Sequence, residues 1–157
     1  MIHRLPAPIH RAALRLGDRA RKAWWRWRRP QLIGCRVIAV DNAGRVLLIR
    51  HSYGARGWTL PAGGLRAGED PVMGALRELR EETACLLEMA RLVETFEEQA
   101  FGTAHRVHVV AGYAASEVRP DGREVVEAAF FALDSLPGTL PPRLRERLPK
   151  HVALLRP

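Results

Sequence analysis

Residues 63–85 read GGLRAGEDPVMGALRELREETAC, and this stretch decides the fold. Asp70-Pro71 marks a helix start. An aspartate N-cap accepts a first-turn N–H, and proline at the first helical position loses no hydrogen bond. Val72, Ala75, Leu76 and Leu79 follow at i, i+3, i+4 and i+7, the spacing of a core-facing stripe, which predicts a helix to about Thr83. Glu78, Glu81 and Glu82 occupy a neighbouring arc of that helix. Like charges at such spacings repel, and late in a helix they also face its negative end. The segment is locally unfavourable unless something positive lies against it. Three carboxylates on one arc suit a hard divalent cation such as Mg²⁺. Taken alone, the same pattern equally describes a solvated acidic face. The glycines upstream let backbone turn sharply or approach a ligand. Glu69 and Arg77 are spaced so that an ion pair between them would brace loop against helix and hold the carboxylates in place.

Working outward from the helix, CRVIAV (35–40), the turn DNAG (41–44) and RVLLIR (45–50) read as a β-hairpin. Trp58-Thr59-Leu60 reads as a short strand, and PAGGLRAGED as a glycine-rich connection. Residues 86–98, 107–115 and 128–133 are further strands, with a turn at Pro120-Asp121-Gly122. The tail reads as a short helix broken at Pro149. Strands and helices interleave, so a layered α/β (α+β) fold is expected.

The 157 residues are 47% hydrophobic and 27% charged, a soluble globular composition large enough for one core. Cys35 and Cys85 sit among apolar neighbours and read as two buried free thiols, which suits a reducing cytoplasm. No apolar run is long enough to span a bilayer, and the N-terminus lacks the apolar core of a signal peptide. Residues 1–30 hold eight arginines and Lys22 against Asp18 alone, so the whole net charge of +8 lies there and the remainder is neutral. The chain therefore divides into a basic arm, 1–30, and a main domain, 31–157. In the arm, Ile9, Ala13, Leu16, Ala20, Trp24 and Trp27 form one helical stripe that Pro30 ends. Such a helix packs its stripe on the domain or on a second subunit as a homodimer, lies on an anionic membrane, or contacts nucleic acid phosphates. Packing ranks first and membrane contact second.

Gly63, Glu69, Arg77, Glu78, Leu79, Glu81 and Glu82, at their spacing, resemble the Nudix box, G-x5-E-x7-R-E-U-x-E-E-x-G-U with U bulky and aliphatic. Two positions depart: Ala84 stands for the last glycine and Cys85 for the last aliphatic residue. The resemblance implies an α/β/α sandwich around a mixed sheet. It implies a pyrophosphohydrolase that uses Mg²⁺, or Mn²⁺ in its place, to cleave a nucleoside diphosphate derivative by water attack at phosphorus. Glu78, Glu81, Glu82 and the Ala62 carbonyl are the implied metal ligands, with Gly63, Glu69 and Arg77 in support. Glu78 or Glu81 orients or deprotonates the water. Some relatives use a glutamate on a later loop, for which Glu124 and Glu127 are the candidates, Glu127 preferred. Arg50, His51 and Arg56 are candidate phosphate contacts, and Tyr53, Trp58 and Phe101 candidate base-stacking rings. The competing readings are removal of pyrophosphate from RNA 5′ ends and a nucleotide-binding module without turnover. The intact box glutamates speak against the second.

Overall fold

The computed structural model describes residues 7–28, 32–54, 57–100 and 102–155, and, in the first of these segments, the side chains of residues 9 and 12–21. The fold is built outward from one hairpin. Asp41 Oδ1 accepts the amides of Ala43 and Arg45 at 3.0 and 2.9 Å, closing the turn between β1 (Leu32–Val40) and β2 (Val46–His51). The two strands are antiparallel, with Val40 opposite Val46. Beyond that point β2 leaves β1. The short β3 (Ala62–Gly64) pairs there instead, with Gly63 opposite Cys35. On the other side β1 runs parallel to β5 (Thr103–Ala114), which is antiparallel to β4 (Leu87–Ala100). With β6 (Val125–Phe131) beside β2, the order is β4-β5-β1-β2-β6.

The sheet is covered on both faces. Cys35, Val37, Ala39, Leu47 and Val110 pack against Ala75, Leu79 and Cys85 of α2 (Pro71–Thr83) and its exit. Ile38, Val40, Val46, Leu48 and Val109 pack against Leu148 and Val152 of α3 (Pro142–Ala153). Burial on both faces is why β1 and β2 read as nearly unbroken apolar runs. The result is the expected helix–sheet–helix sandwich around a mixed sheet.

The hairpin and α2 lie where the spacing predicts them, and Asp70 caps α2 by accepting the amides of Val72 and Met73. Four expectations are corrected. Trp58–Leu60 is no strand; Thr59 makes a single bridge to Ile49, and the paired segment is the glycine-rich Ala62–Gly64. Leu76 is only half-buried, while the charged Glu82 is 6% exposed, so the inward face of α2 is rotated toward its acids. The last helix runs through Pro149. Proline inside a helix costs roughly 3 kcal/mol, and burial of Leu148 and Val152 on either side of it offsets that cost.

The fourth concerns the arm. It is helical over α1 (Ala7–Arg28), but Ile9 and Leu16 of its apolar stripe do not pack on the domain, and the side chains of Trp24 and Trp27 lie outside the described residues. Ile9 is 54% and Leu16 71% exposed, whereas Asp18 is 7% exposed. Arg15 Nε donates to the carbonyl of Ser52 at 3.1 Å. Residues two apart on a helix point about 200° apart, so turning Asp18 inward turns Leu16 out. Among the described residues no helix is long and apolar enough to cross a membrane. Cys35 and Cys85 are both free and buried.

Candidate functional site

The site lies where α2, β3 and the loop before β6 meet, and each part is held by identifiable bonds. Arg77 is the hub. Its Nε and one terminal nitrogen donate to Glu69 Oε1 and Oε2 at 2.9 and 2.8 Å, the paired geometry that a guanidinium offers a carboxylate. The other terminal nitrogen donates to Glu78 Oε1 at 2.6 Å and lies 3.6 Å from Glu81 Oε2. A further bond reaches the Gly64 carbonyl at 3.1 Å. This is the positive group that the crowded glutamates require. It pulls the Glu69 carboxyl down to about 2, chiefly through its hydrogen bonds.

Gly63 is required by contact. A Cβ on it would stand 1.9 Å from the Glu78 carboxyl carbon. β3 therefore lies flush against the carboxylate, and a side chain at that position would displace it.

Glu82 is the most buried acid of the group. Its Oε2 accepts the Ala62 amide at 3.3 Å, and its Oε1 lies 3.9 Å from His51 Nε2. Burial first, then the charge of Glu78, pushes its carboxyl up to about 9. Burial likewise raises Glu78, against the opposing hydrogen bond from Arg77. Burial lowers His51, which favours its neutral ring.

The opposite wall is a loop that the sequence reading treated only as a turn. Asp121 organises it: Oδ1 accepts the amides of Arg123 and Val125 at 3.0 and 2.8 Å, and Oδ2 that of Glu124 at 3.2 Å. The loop is stitched to the end of α2 by Arg119 N–H to the Thr83 carbonyl at 2.7 Å and Asp121 N–H to the Glu82 carbonyl at 3.1 Å. Its other side is held by the Ser52 amide on the Glu124 carbonyl at 2.8 Å and by the Tyr53 hydroxyl on Glu124 Oε2 at 3.2 Å. Glu78, Glu81, Glu82, Asp121, Arg123 and Glu124 thus line one cavity of about 590 Å³.

Glu124, not Glu127, reaches this cavity. Glu127 lies opposite Arg50 in the β2–β6 pairing, and the two side chains form an ion pair. That pairing also engages Arg50, named from the sequence as a phosphate contact. Arg56 and Phe101 lie outside the described residues. Asp121 and Arg123 were missed by the sequence reading. Their signal was the Asp-x-x-Glu spacing after Pro120, which looks like any polar turn until α2 is placed beside it.

Among the described residues, no three His, Cys, Asp or Glu side chains converge closely enough to grip a metal ion as they stand. Arg77 holds Glu78 to one side, and Glu81 is 57% exposed. The donor set nevertheless fits a hard divalent cation. It is all oxygen, and the buried Glu82 is driven toward its protonated form by burial first and then by the negative charge of Glu78, the second of which a cation would offset.

A family model described as the NUDIX domain matches residues 30–155. NAD-capped RNA hydrolase NudC of Vibrio atlanticus is 31% identical over 113 residues, 71% of this chain and 42% of that protein. Its counterpart in Edwardsiella ictaluri is 32% identical over 114 residues, 72% of this chain and 44% of the relative. The chain thus spans less than half the length of these curated relatives. A solved MutT NUDIX hydrolase from Burkholderia pseudomallei superposes with a TM-score of 0.68 at 28% identity, covering 76% of this chain and 97% of that one.

Proposed function

The chain belongs to the NUDIX family of hydrolases, which act on phosphoric anhydride bonds with divalent cations, and from that premise we propose that it is a Mg²⁺-dependent pyrophosphohydrolase of a nucleoside diphosphate derivative. The observation that carries this reading is the gathering of Glu78, Glu81, Glu82 and Glu124 on one cavity, with Glu82 buried. Glu78, Glu81, Glu82 and the Ala62 carbonyl would hold the cation. Bound there, it would neutralise the diphosphate oxygens and acidify the attacking water. Arg77, fixed by Glu69, keeps Glu78 in position. Glu124 is the base of this reading, its carboxylate steadied by Tyr53. It takes the proton as the water oxygen forms its bond to phosphorus and the anhydride oxygen departs with the bonding pair. Arg123 lines the same cavity and is the candidate contact to the substrate phosphates.

Hydrolysis of a panel of nucleoside diphosphate derivatives, dinucleotides and nucleoside triphosphates tests this, with Mg²⁺ or Mn²⁺ and with chelator. Turnover is expected to vanish with chelator and to fall about a hundredfold in Glu82→Gln. Full turnover in either case overturns the assignment. A second reading is favoured by the relatives named above: the diphosphate is the NAD cap or 5′ end of an RNA. An NAD-capped oligonucleotide in the same panel separates it from the small-molecule reading by the ratio of kcat/KM values.

A further inference from the structure

Three cavities share walls beside Glu124. The first, of about 590 Å³, is the one that gathers Glu78, Glu81 and Glu82. A second, of about 250 Å³, lies between Glu124 and Tyr53 on one side and Ala13, Gly17, Asp18 and Arg21 of α1 on the other. A third, of about 320 Å³, is lined by Arg15, Asp18 and Arg19 of α1 and by residues 51–54. Glu124 is common to the first and second, and Asp18 and Tyr53 to the second and third, so the three follow one another beneath α1. The far end is basic. Arg21 answers the buried Asp18 carboxylate at 3.1 Å. Arg15 spends its Nε on the Ser52 carbonyl. Among the described residues its terminal nitrogens, and the whole guanidinium of Arg19, take part in no hydrogen bond or ion pair. Arg15 and Arg19 are one helical turn apart, a spacing at which like charges repel. The middle is kept open by a glycine. Gly17 lies inside a helix of 22 residues, where glycine is the least favourable residue after proline. Packing does not require it, since a Cβ there would meet nothing within 4 Å. What the missing side chain preserves is the passage from Glu124 to the two arginines.

We propose that Arg15 and Arg19 form an outer subsite for a phosphate group of the substrate that lies beyond the scissile diphosphate, reached from the cation site through the opening at Gly17. The proposal rests on the hydrolytic reading of the cavity. A diphosphate over Glu78 and Glu82 is held through cations, because carboxylates alone repel it. A further anionic group needs positive charge from the protein itself, and the two guanidiniums supply it where the groove ends. Each planar fork can bond two oxygens of one phosphate, and an anion between them removes their mutual repulsion. Binding gained away from the scissile bond is the same in the ground and transition states. It lowers KM and leaves kcat alone. The subsite therefore selects diphosphates that carry a further phosphate over those that do not.

Titration of inorganic phosphate into the metal-free full chain, followed by amide NMR shifts, tests the subsite apart from catalysis. Without metal the carboxylate cavity repels phosphate, so saturable shifts are expected at residues 15–19 and 52–54. Arg19→Glu should abolish them and Arg19→Lys should keep most of them. No such shifts in the wild type, or the same shifts in Arg19→Glu, overturns the proposal. Kinetics with Mg²⁺ on NAD, NADP and an NAD-capped trinucleotide then tests the place of the subsite in the reaction. The three share one diphosphate; the second adds a phosphate on a ribose and the third a phosphodiester chain. Arg19→Glu and Gly17→Leu should each raise the KM of an extended substrate at least about tenfold, with its kcat and both constants for NAD within about threefold. The extended substrate that responds identifies the source of the phosphate. Gly17→Leu should not lower the melting temperature, because its side chain enters open space. Turnover of all three with KM values indifferent to both substitutions overturns the proposal and spares the hydrolytic reading. Phosphate binding at Arg19 in a chain that turns over none of the three overturns the hydrolytic reading and leaves the anion site standing.

Discussion

Two helices come close to Glu124 and treat their charges in opposite ways. α2 turns Ala75, Leu79 and the carboxyl of Glu82 inward, and Arg77, held by Glu69, bonds Glu78 and pairs with Glu81. α1 buries Asp18, bonds the exposed Arg15 to the Ser52 carbonyl and leaves Leu16 in solvent. The first is a helix whose site is complete within its own domain. The second is a helix whose burial is unfinished. Charge close to a cavity therefore has two meanings here. In α2 it is organised by Arg77, which the paired bonds from Glu69 fix in place beside Glu78. In α1 it is held by the Arg15 bond to the Ser52 carbonyl and by the Arg21–Asp18 pair within the helix.

Perturbing α2 should be far costlier than perturbing α1. The largest effect is expected for Gly63→Ala. The added methyl cannot share space with the Glu78 carboxyl, so turnover should fall by a hundredfold or more and stability by about 1–3 kcal/mol. Steady-state kinetics and denaturant unfolding measure both. Deleting residues 1–30 should leave turnover within about threefold, because the cavity is lined from α2 and the Asp121 loop. A hundredfold loss on truncation would erase the contrast between the helices.

The next effect separates the two glutamates of the last strand and its loop. Glu124→Gln is expected to lower kcat about a hundredfold. Glu127→Gln, whose carboxylate is on Arg50 and away from the cavity, should stay within about threefold. The reverse order in kcat would return the base to Glu127.

A smaller effect is thermodynamic. Glu82 is raised from 4.5 to about 9, so the folded chain binds more protons than the unfolded chain between those values. Stability of the cation-free protein should therefore fall as pH rises through that window, by an amount on the order of a few kcal/mol. Glu82→Gln should flatten that slope in a series of thermal melts, and a slope unchanged by the substitution would contradict the burial argument.

The smallest concerns the end of α2. Ala84 closes the helix with φ of +55°, donating its amide to the Arg80 carbonyl. Ala84→Gly should stabilise the fold by about 1 kcal/mol. Denaturant midpoints measure this, and a destabilised variant would mean that the left-handed cap is not strained.

What could be read from the sequence followed the range of the forces involved. The hairpin, α2 and its cap rest on neighbours in the chain, so Asp41, Asp70 and Pro71 announce them. The hub at Arg77 was readable because its partners lie within one helix and one loop. Glu82 as a buried acid was not, since only the packing of β3 and the Asp121 loop over α2 excludes water from it. The same packing selects Glu124 over Glu127. These two residues differ by three positions, and the register opposite Arg50 sends one carboxylate away. Pro149 misled for a similar reason: its local cost is legible, while the burial that offsets it is tertiary. The stripe of α1 was legible as a stripe. Its direction was not, because that depends on where Asp18 and Arg15 find partners.

The central claim is that the buried acids of this cavity are a cation site held by Arg77. Calorimetric titration of Mg²⁺ into the metal-free protein at pH 7, in two buffers of different ionisation enthalpy, tests it most directly. Burial pushes the Glu82 carboxyl up to about 9, so binding at pH 7 should expel about one proton per site. Glu82→Gln should bind at least about tenfold more weakly and expel none. Wild-type binding without proton release, or binding unchanged by the substitution, would contradict the account.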